Sequence, residues 1–189
     1  MRHGARLAEV YKVLVAHDAR SVLDLGCGDG QLLELLAEDS RFIRLAGLDI
    51  DDEALDTARN HIKPRNGLEL QVKRGSLLEA SSYSGFDAVT MIDVIEHLAA
   101  SDLKTLEKVV FNNIRPRLFA LTTPEIGNAN GSHHHGYSHH EHEFEWSFAE
   151  ADKWASGASK RYGYQFDHQL VSTKPLRGKD IQLIVFWRT

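Results

Sequence analysis

The sequence predicts an α/β fold, a mostly parallel sheet with helices on both faces, and three observations point there. Short apolar runs alternate with stretches of helical spacing, a glycine-rich turn joins the first such run to a helix, and a carboxylate closes the second run. Parallel neighbours need a crossover, and right-handed crossovers put helices on both sides of the sheet.

The elements follow in order. Arg6 to His17 places Leu7, Val10, Tyr11, Leu14 and Val15 at the spacing of an amphipathic helix. Ser21 to Leu25 (SVLDL) is the first strand, and Gly26-Cys27-Gly28-Asp29-Gly30 turns it into a helix over Gln31 to Ala37, where Leu32, Leu33, Leu35 and Leu36 resume the helical period. Leu45 to Ile50 is a strand, Asp51 suits the cap of a helix over Glu53 to Ile62, and Leu68 to Arg74 and Phe86 to Ile92 are further strands. Leu103 to Phe111 reads as a helix with Leu103, Leu106, Val109 and Val110 inward, Arg117 to Thr122 as a strand, and Ala149 to Tyr162 as a helix. Two alternating runs, Tyr164 to Val171 and Asp180 to Trp187, predict a closing antiparallel hairpin. Pro124 to Trp146 is rich in His, Gly, Asn and Ser and has no apolar period, so it is expected to be a long loop near the active face.

Composition limits the function. With 189 residues, of which 42% are hydrophobic, the chain has material for one core, and a single domain over 1–189 is expected. The 22 basic and 27 acidic side chains leave a net charge of -5, which argues against a broad phosphate-neutralising surface but allows a local grip on the end of a nucleic acid. Cys27 is the only cysteine and cannot form an intrachain disulfide, so it is read as a packing residue. No run approaches the roughly 18 apolar residues of a membrane span, and no signal peptide is recognised, so a soluble, cytoplasmic monomer is expected.

The glycine turn carries the first chemistry. Gly26, Gly28 and Gly30 alternate, unlike the G-x-G-x-x-G of a dinucleotide site, and they allow a ligand close approach to the backbone. Asp24 and Asp29 put negative charge beside the turn, which would repel a pyrophosphate and suit a sulfonium and an α-ammonium; S-adenosylmethionine is favoured over NAD. Asp49, at the carboxyl end of the second strand, is placed to accept hydrogen bonds from both ribose hydroxyls. Ser76 and Leu77, after the third strand, are candidates for contacting adenine. With this cofactor, the order of elements is that of a Rossmann-like class I methyltransferase with a seven-stranded sheet.

The fourth strand runs into Asp93-Val94-Ile95-Glu96-His97-Leu98. At helical spacing Asp93, Glu96 and His97 would project together, either as half the shell of a divalent cation or as an acidic helix start. A second imidazole, His142, opens His142-Glu143-Phe144-Glu145-Trp146-Ser147, where Phe144 and Trp146 can anchor the segment while His142 faces the site.

DVIEHL and HEFEWS, following VLDLGCGDG and GLDI and joined by TTP at Thr122 to Pro124, resemble the motifs of the small-RNA 3′-terminal ribose 2′-O-methyltransferases, the Hua-enhancer type. The resemblance runs from Arg6 to Tyr164. It implies a metal-dependent transfer of a methyl group from S-adenosylmethionine to the 2′-hydroxyl of the 3′-terminal ribose of RNA. The metal, manganese or magnesium, would be held by Asp93, Glu96, His97 and His142, with Glu96 and His97 as the catalytic groups. A cation gripped by both hydroxyls of an unblocked terminal ribose would select RNA 3′ ends without reading sequence. Two imidazoles make the shell softer than an all-oxygen one, so manganese is expected to bind at least as well as magnesium. The proton acceptor stays open between His97 and a hydroxide carried by the cation. The resemblance also implies an RNA-repair setting with a kinase or ligase partner. Asp93 stands where the family has glutamate, one methylene longer, which implies a water between it and the metal. Glu125 to Asn130 lacks the family's asparagine-rich, aromatic-containing pattern, and His133, His134, His135, His139 and His140 have no family counterpart and read as a solvated loop. Two other functions fit the same fold: a metal-independent small-molecule or protein methyltransferase, and a non-catalytic cofactor- or metal-binding module of an RNA-repair assembly.

Overall fold

The computed structural model describes residues 2–126, 142–171 and 181–188. Its centre is a sheet of seven strands, β1 (Ser21–Leu25), β2 (Arg44–Asp49), β3 (Glu69–Arg74), β4 (Ala88–Ile92), β5 (Leu118–Pro124), β6 (Gln165–Val171) and β7 (Ile181–Trp187). They lie in the order β3-β2-β1-β4-β5-β7-β6. The first five are parallel, while β7 runs antiparallel between β5 and β6. The mostly parallel seven-stranded sheet that the sequence predicts is therefore formed, with one detail the hairpin pattern did not carry: the later strand lies inside the earlier one. Composition explains the order. Strand β7 (IQLIVFW) is apolar on both faces and buried from Ile181 to Phe186, whereas β6 (QFDHQLV) alternates and can leave one face and one edge to water.

Helices α1 (Arg2–Ala16), α2 (Gln31–Ala37) and α3 (Asp52–His61) cover one face of the sheet. Val10, Leu14, Leu33, Leu36 and Leu55 from these helices meet Val22, Leu45 and Val185 from the strands. Helices α4 (Leu103–Glu107) and α5 (Phe148–Tyr162) cover the other face, where Leu106, Ala155 and Ala158 meet Leu23, Met91, Phe119 and Phe186. Each fully buried Leu or Phe contributes roughly 1.5–3 kcal/mol of transfer free energy, so both layers are needed to fix the sheet between them.

Two departures from the sequence reading matter for the site. The helix starting at Leu103 is α-helical only to Glu107 and continues as a π-helix over Lys108–Ile114, which buries the consecutive residues Val109, Val110 and Phe111. Phe111 then contacts the rings of Phe119, Tyr162, Tyr164 and Phe186. The second departure follows β4. No α-helix starts at Asp93; the residue turns the chain with φ 52, and a single 3₁₀ turn spans Ile95–His97. The β-branched pair Val94 and Ile95 is a poor helix start, and the Asp93 amide donates to the Thr122 carbonyl at 3.0 Å instead of pointing along a helix axis. The expected common helical face of Asp93, Glu96 and His97 is therefore absent.

Strand order reverses between β1 and β4. A crevice opens at that point beyond the carboxyl ends of the strands, where open α/β sheets take up ligands.

Candidate active site

The crevice begins with the turn after β1. Gly26, Gly28 and Gly30 all have positive φ, and at two of them a side chain has no room: a Cβ on Gly26 would lie 2.5 Å from Val94 Cγ2, and one on Gly30 2.7 Å from Ile62 Cδ1. The amides of Gly26 and Cys27 donate to the Leu48 carbonyl at 2.8 and 3.1 Å, tying the turn to β2. The Gly28 amide donates to Asp49 Oδ2 at 2.7 Å, and Asp49 Oδ1 accepts from the Asp51 amide at 3.0 Å. Asp49 is thus held by backbone on both oxygens.

The result is a cavity of about 480 Å³, a size suited to a small cofactor. Asp24, Gly26, Gly28, Asp29, Asp49, Ser76 and Leu77, all singled out from the sequence, line it. Gly30 is not on its wall; it shapes the turn by packing against Ala58 and Ile62. Ser76 Oγ accepts the Leu78 amide at 3.2 Å, so this hydroxyl also caps the 3₁₀ turn Leu77–Ser82. Cys27 is buried, and that burial, reinforced by the charges of Asp24 and Asp49, pushes its thiol far up, as suits a packing residue rather than a nucleophile.

Asp24 is buried beneath the turn and accepts a hydrogen bond from Thr90 Oγ1 at 2.7 Å. Burial pushes its pKa up to about 7; the Thr90 hydroxyl pulls the other way and the charge of Asp49 adds to the rise. A cationic ligand would favour the ionised form of Asp24. Arg6, at the start of α1, also reaches the cavity wall, and burial lowers its pKa while the Glu96 carboxylate opposes that shift. Nothing in the amphipathic pattern of α1 marks Arg6 as turning inward.

Beside this cavity, Glu96, His97 and His142 converge, with one potential ligand atom from each lying within 4.8 Å of the others. The rings of His97 and His142 meet edge to face with centroids 4.8 Å apart. The convergence is built by backbone contacts between distant segments. The Glu96 carbonyl accepts from the amides of Glu143 and Phe144 at 2.9 and 3.3 Å, which places His142 directly over the 3₁₀ turn. Farther along, the Trp146 carbonyl accepts from the Ile126 amide at 3.2 Å and from Gln182 Nε2 at 2.8 Å. Phe144 and Trp146 anchor the segment against the core as expected, and Trp154, which the sequence reading did not single out, extends their run of ring contacts. Thr123, quoted within the TTP motif but given no role, and Gln182, which carries no local signal, are supports that the sequence reading did not assign.

Glu96 is fully buried. Its Oε2 accepts from Thr123 Oγ1 at 3.1 Å, while Oε1 is buried and receives no hydrogen bond among the described residues. Burial raises its pKa to about 7, Thr123 and Arg6 counter that, and the Glu145 charge adds to it. An unsatisfied buried carboxylate oxygen costs on the order of 1–3 kcal/mol or more, a cost that a cation at this point would remove. A desolvated carboxylate with two imidazoles is a donor set for a divalent transition ion, so these residues fit the metal that the motifs imply.

Asp93, expected as the fourth ligand, does not join them. Its left-handed backbone turns the side chain aside, where Oδ1 accepts from Thr122 Oγ1 at 2.6 Å and Oδ2 forms an ion pair with Arg6. Both oxygens are engaged, and Asp93 is not among the residues that converge. The histidine run His133 to His140, with the rest of the stretch 127–141, lies outside the described residues.

A methyltransferase-domain family model matches residues 23–118, which is the glycine turn and the strands and helices around it. The small RNA 2′-O-methyltransferase of Rattus norvegicus is 33% identical over 169 residues, covering 84% of this chain and 43% of that protein. The chain spans half or less of the length of the small RNA 2′-O-methyltransferases it matches. Among solved structures, the methyltransferase domain of bacterial CtHen1-CN is 31% identical, with 100% of both chains covered and a TM-score of 0.83. The small RNA methyltransferase HEN1 is 26% identical, covering 97% of this chain and 25% of that one, with a TM-score of 0.84. Among the described residues, no helix is long and apolar enough to cross a membrane.

Proposed function

This chain belongs to the small RNA 2′-O-methyltransferase family, and from that premise we propose that it methylates the 2′-hydroxyl of the 3′-terminal ribose of RNA, using S-adenosylmethionine and a divalent cation, manganese or magnesium. The observation that carries the reading is the adjacency of two sites. His97 lines the donor cavity and also belongs to the group it forms with Glu96 and His142.

The residues divide the work. Asp49 takes the donor's ribose, and Asp24 and Asp29 face its positive groups. Glu96, His97 and His142 hold the cation, which when bound supplies Lewis-acid stabilisation of the acceptor oxygen and fixes its position. The transfer forms an O–CH₃ bond and breaks the S–CH₃ bond, whose electron pair stays on sulfur, while the hydroxyl proton leaves on the side lined by His97. Glu96, locked by Thr123 and the surrounding core, fixes the group relative to the donor. Because Asp93 is turned to Arg6, the reading uses three side-chain ligands rather than four. A net charge of -5 fits recognition of an end rather than of a long backbone.

The test supplies labelled S-adenosylmethionine and manganese to RNAs ending in 2′-OH/3′-OH, 2′-deoxy or 3′-phosphate. Label is expected on the first alone, to vanish in a chelator and to return with manganese. Equal labelling of all three ends would overturn the terminal selection, and undiminished turnover after chelation would overturn the cation.

A further inference from the structure

We propose that Glu145 is a positioning residue for the cation group: its carboxylate accepts the Nδ1 proton of His142 and so presents the Nε2 lone pair of that ring to the cation. The proposal rests on the reading that Glu96, His97 and His142 hold a metal.

The contact is direct, with His142 Nδ1 and Glu145 Oε1 3.1 Å apart and the two side chains only 11% and 18% exposed. A carboxylate only accepts, and a neutral imidazole carries one N–H, so this contact draws the proton to Nδ1. The other nitrogen is then left with the lone pair that a metal needs. Glu145 has little freedom to do otherwise. On one side the amides of Glu143 and Phe144 are fixed to the Glu96 carbonyl, and on the other the Trp146 carbonyl is fixed by Ile126 and Gln182. Phe144 and Trp146 turn into the core on either side of it, while Glu143, the other acid of the segment, faces solvent.

Glu145 stands apart from the proposed ligands, since the atoms that converge within 4.8 Å come from Glu96, His97 and His142.

The experiment has two readouts, neither of them turnover. In the metal-free protein, nitrogen NMR of His142 is expected to show the Nδ1–H tautomer, and an Nε2–H ring would overturn the proposal. Manganese titration followed by electron paramagnetic resonance is then compared for wild type, Glu145→Ala and Glu145→Gln, with thermal unfolding used to confirm that each is folded. Glu145→Ala is expected to weaken manganese binding about 10- to 100-fold. Glu145→Gln, whose amide oxygen still accepts from Nδ1, is expected to recover most of that loss. Wild-type affinity in Glu145→Ala would overturn the positioning role alone, as would a Glu145→Gln variant no better than Glu145→Ala. A wild type that takes up no manganese would bring down the cation reading and this proposal together.

Discussion

The cavity proposed for the donor and the Glu96, His97 and His142 group proposed for the cation lie side by side but are built in opposite ways. The cavity is made of backbone: a glycine turn pinned to the Leu48 carbonyl, with Asp49 held by the amides of Gly28 and Asp51. The cation group is made of side chains from two segments far apart in the chain, joined where the Glu96 carbonyl receives the amides of Glu143 and Phe144. A site of the first kind is damaged by an added methyl group and tolerates exchange of neighbouring side chains. A site of the second kind loses its chemistry with one side chain while the fold stands.

The largest effect is expected where that contrast is sharpest. His142→Ala should lower turnover on RNA by at least about 100-fold, since even supporting residues of metal sites cost 10- to 100-fold, while affinity for S-adenosylhomocysteine changes by less than about threefold. Single-turnover rates and calorimetric titration read the two separately; parallel loss of both would break the distinction. Gly26→Ala should show the reverse. Its Cβ would meet Val94 Cγ2 at 2.5 Å in a backbone with φ 73, so we expect a destabilisation of about 1–3 kcal/mol, read by denaturant unfolding, together with loss of donor binding. Asp49→Asn sharpens the comparison with a milder change, weakening the donor about tenfold, the worth of roughly one charge-assisted hydrogen bond, with manganese uptake intact.

The smallest effect concerns pH. Asp24 is pushed up to about 7 in the fold, so between its unfolded value and that point the folded chain keeps a proton that the unfolded chain has shed. Stability of the donor-free protein should therefore fall as pH rises from about 4 to about 7 and then level off. Donor affinity should rise over the upper part of the same window, because the donor's positive groups favour ionised Asp24. Thr90→Val removes the hydrogen bond that favours the ionised form and should move the rise in affinity to higher pH by less than about one unit, read by calorimetry across the range.

The same contrast decides what was legible in the sequence. The wall of the cavity was legible almost residue by residue, because strand, glycine turn, helix and closing acid are local patterns that tertiary packing leaves unchanged; of the residues singled out there, Gly30 alone supports the turn instead of lining the space. On the cation side, the pairing of DVIEHL with HEFEWS brought Glu96, His97 and His142 to attention, and they do converge. The same resemblance, together with an assumed helical spacing, placed Asp93 with them. The positive φ at that residue, forced by the hand-over from β4 to a 3₁₀ turn, sends its side chain to Arg6 and Thr122. Arg6, Thr123, Gln182 and Glu145 act through long-range contacts, for which single-sequence periodicity carries no signal. The inward position of β7 follows from its apolar run, a cue about burial that a hairpin pattern alone does not convert into strand order.

The most direct measurement is anomalous diffraction from crystals grown with manganese and S-adenosylhomocysteine. The expected map has one strong peak within bonding distance of Glu96, His97 and His142, beside the sulfur of the bound cofactor, with Asp93 still on Arg6. A map with the three side chains ordered and no peak between them, or with manganese bound elsewhere, would contradict the assignment of this group as the metal centre.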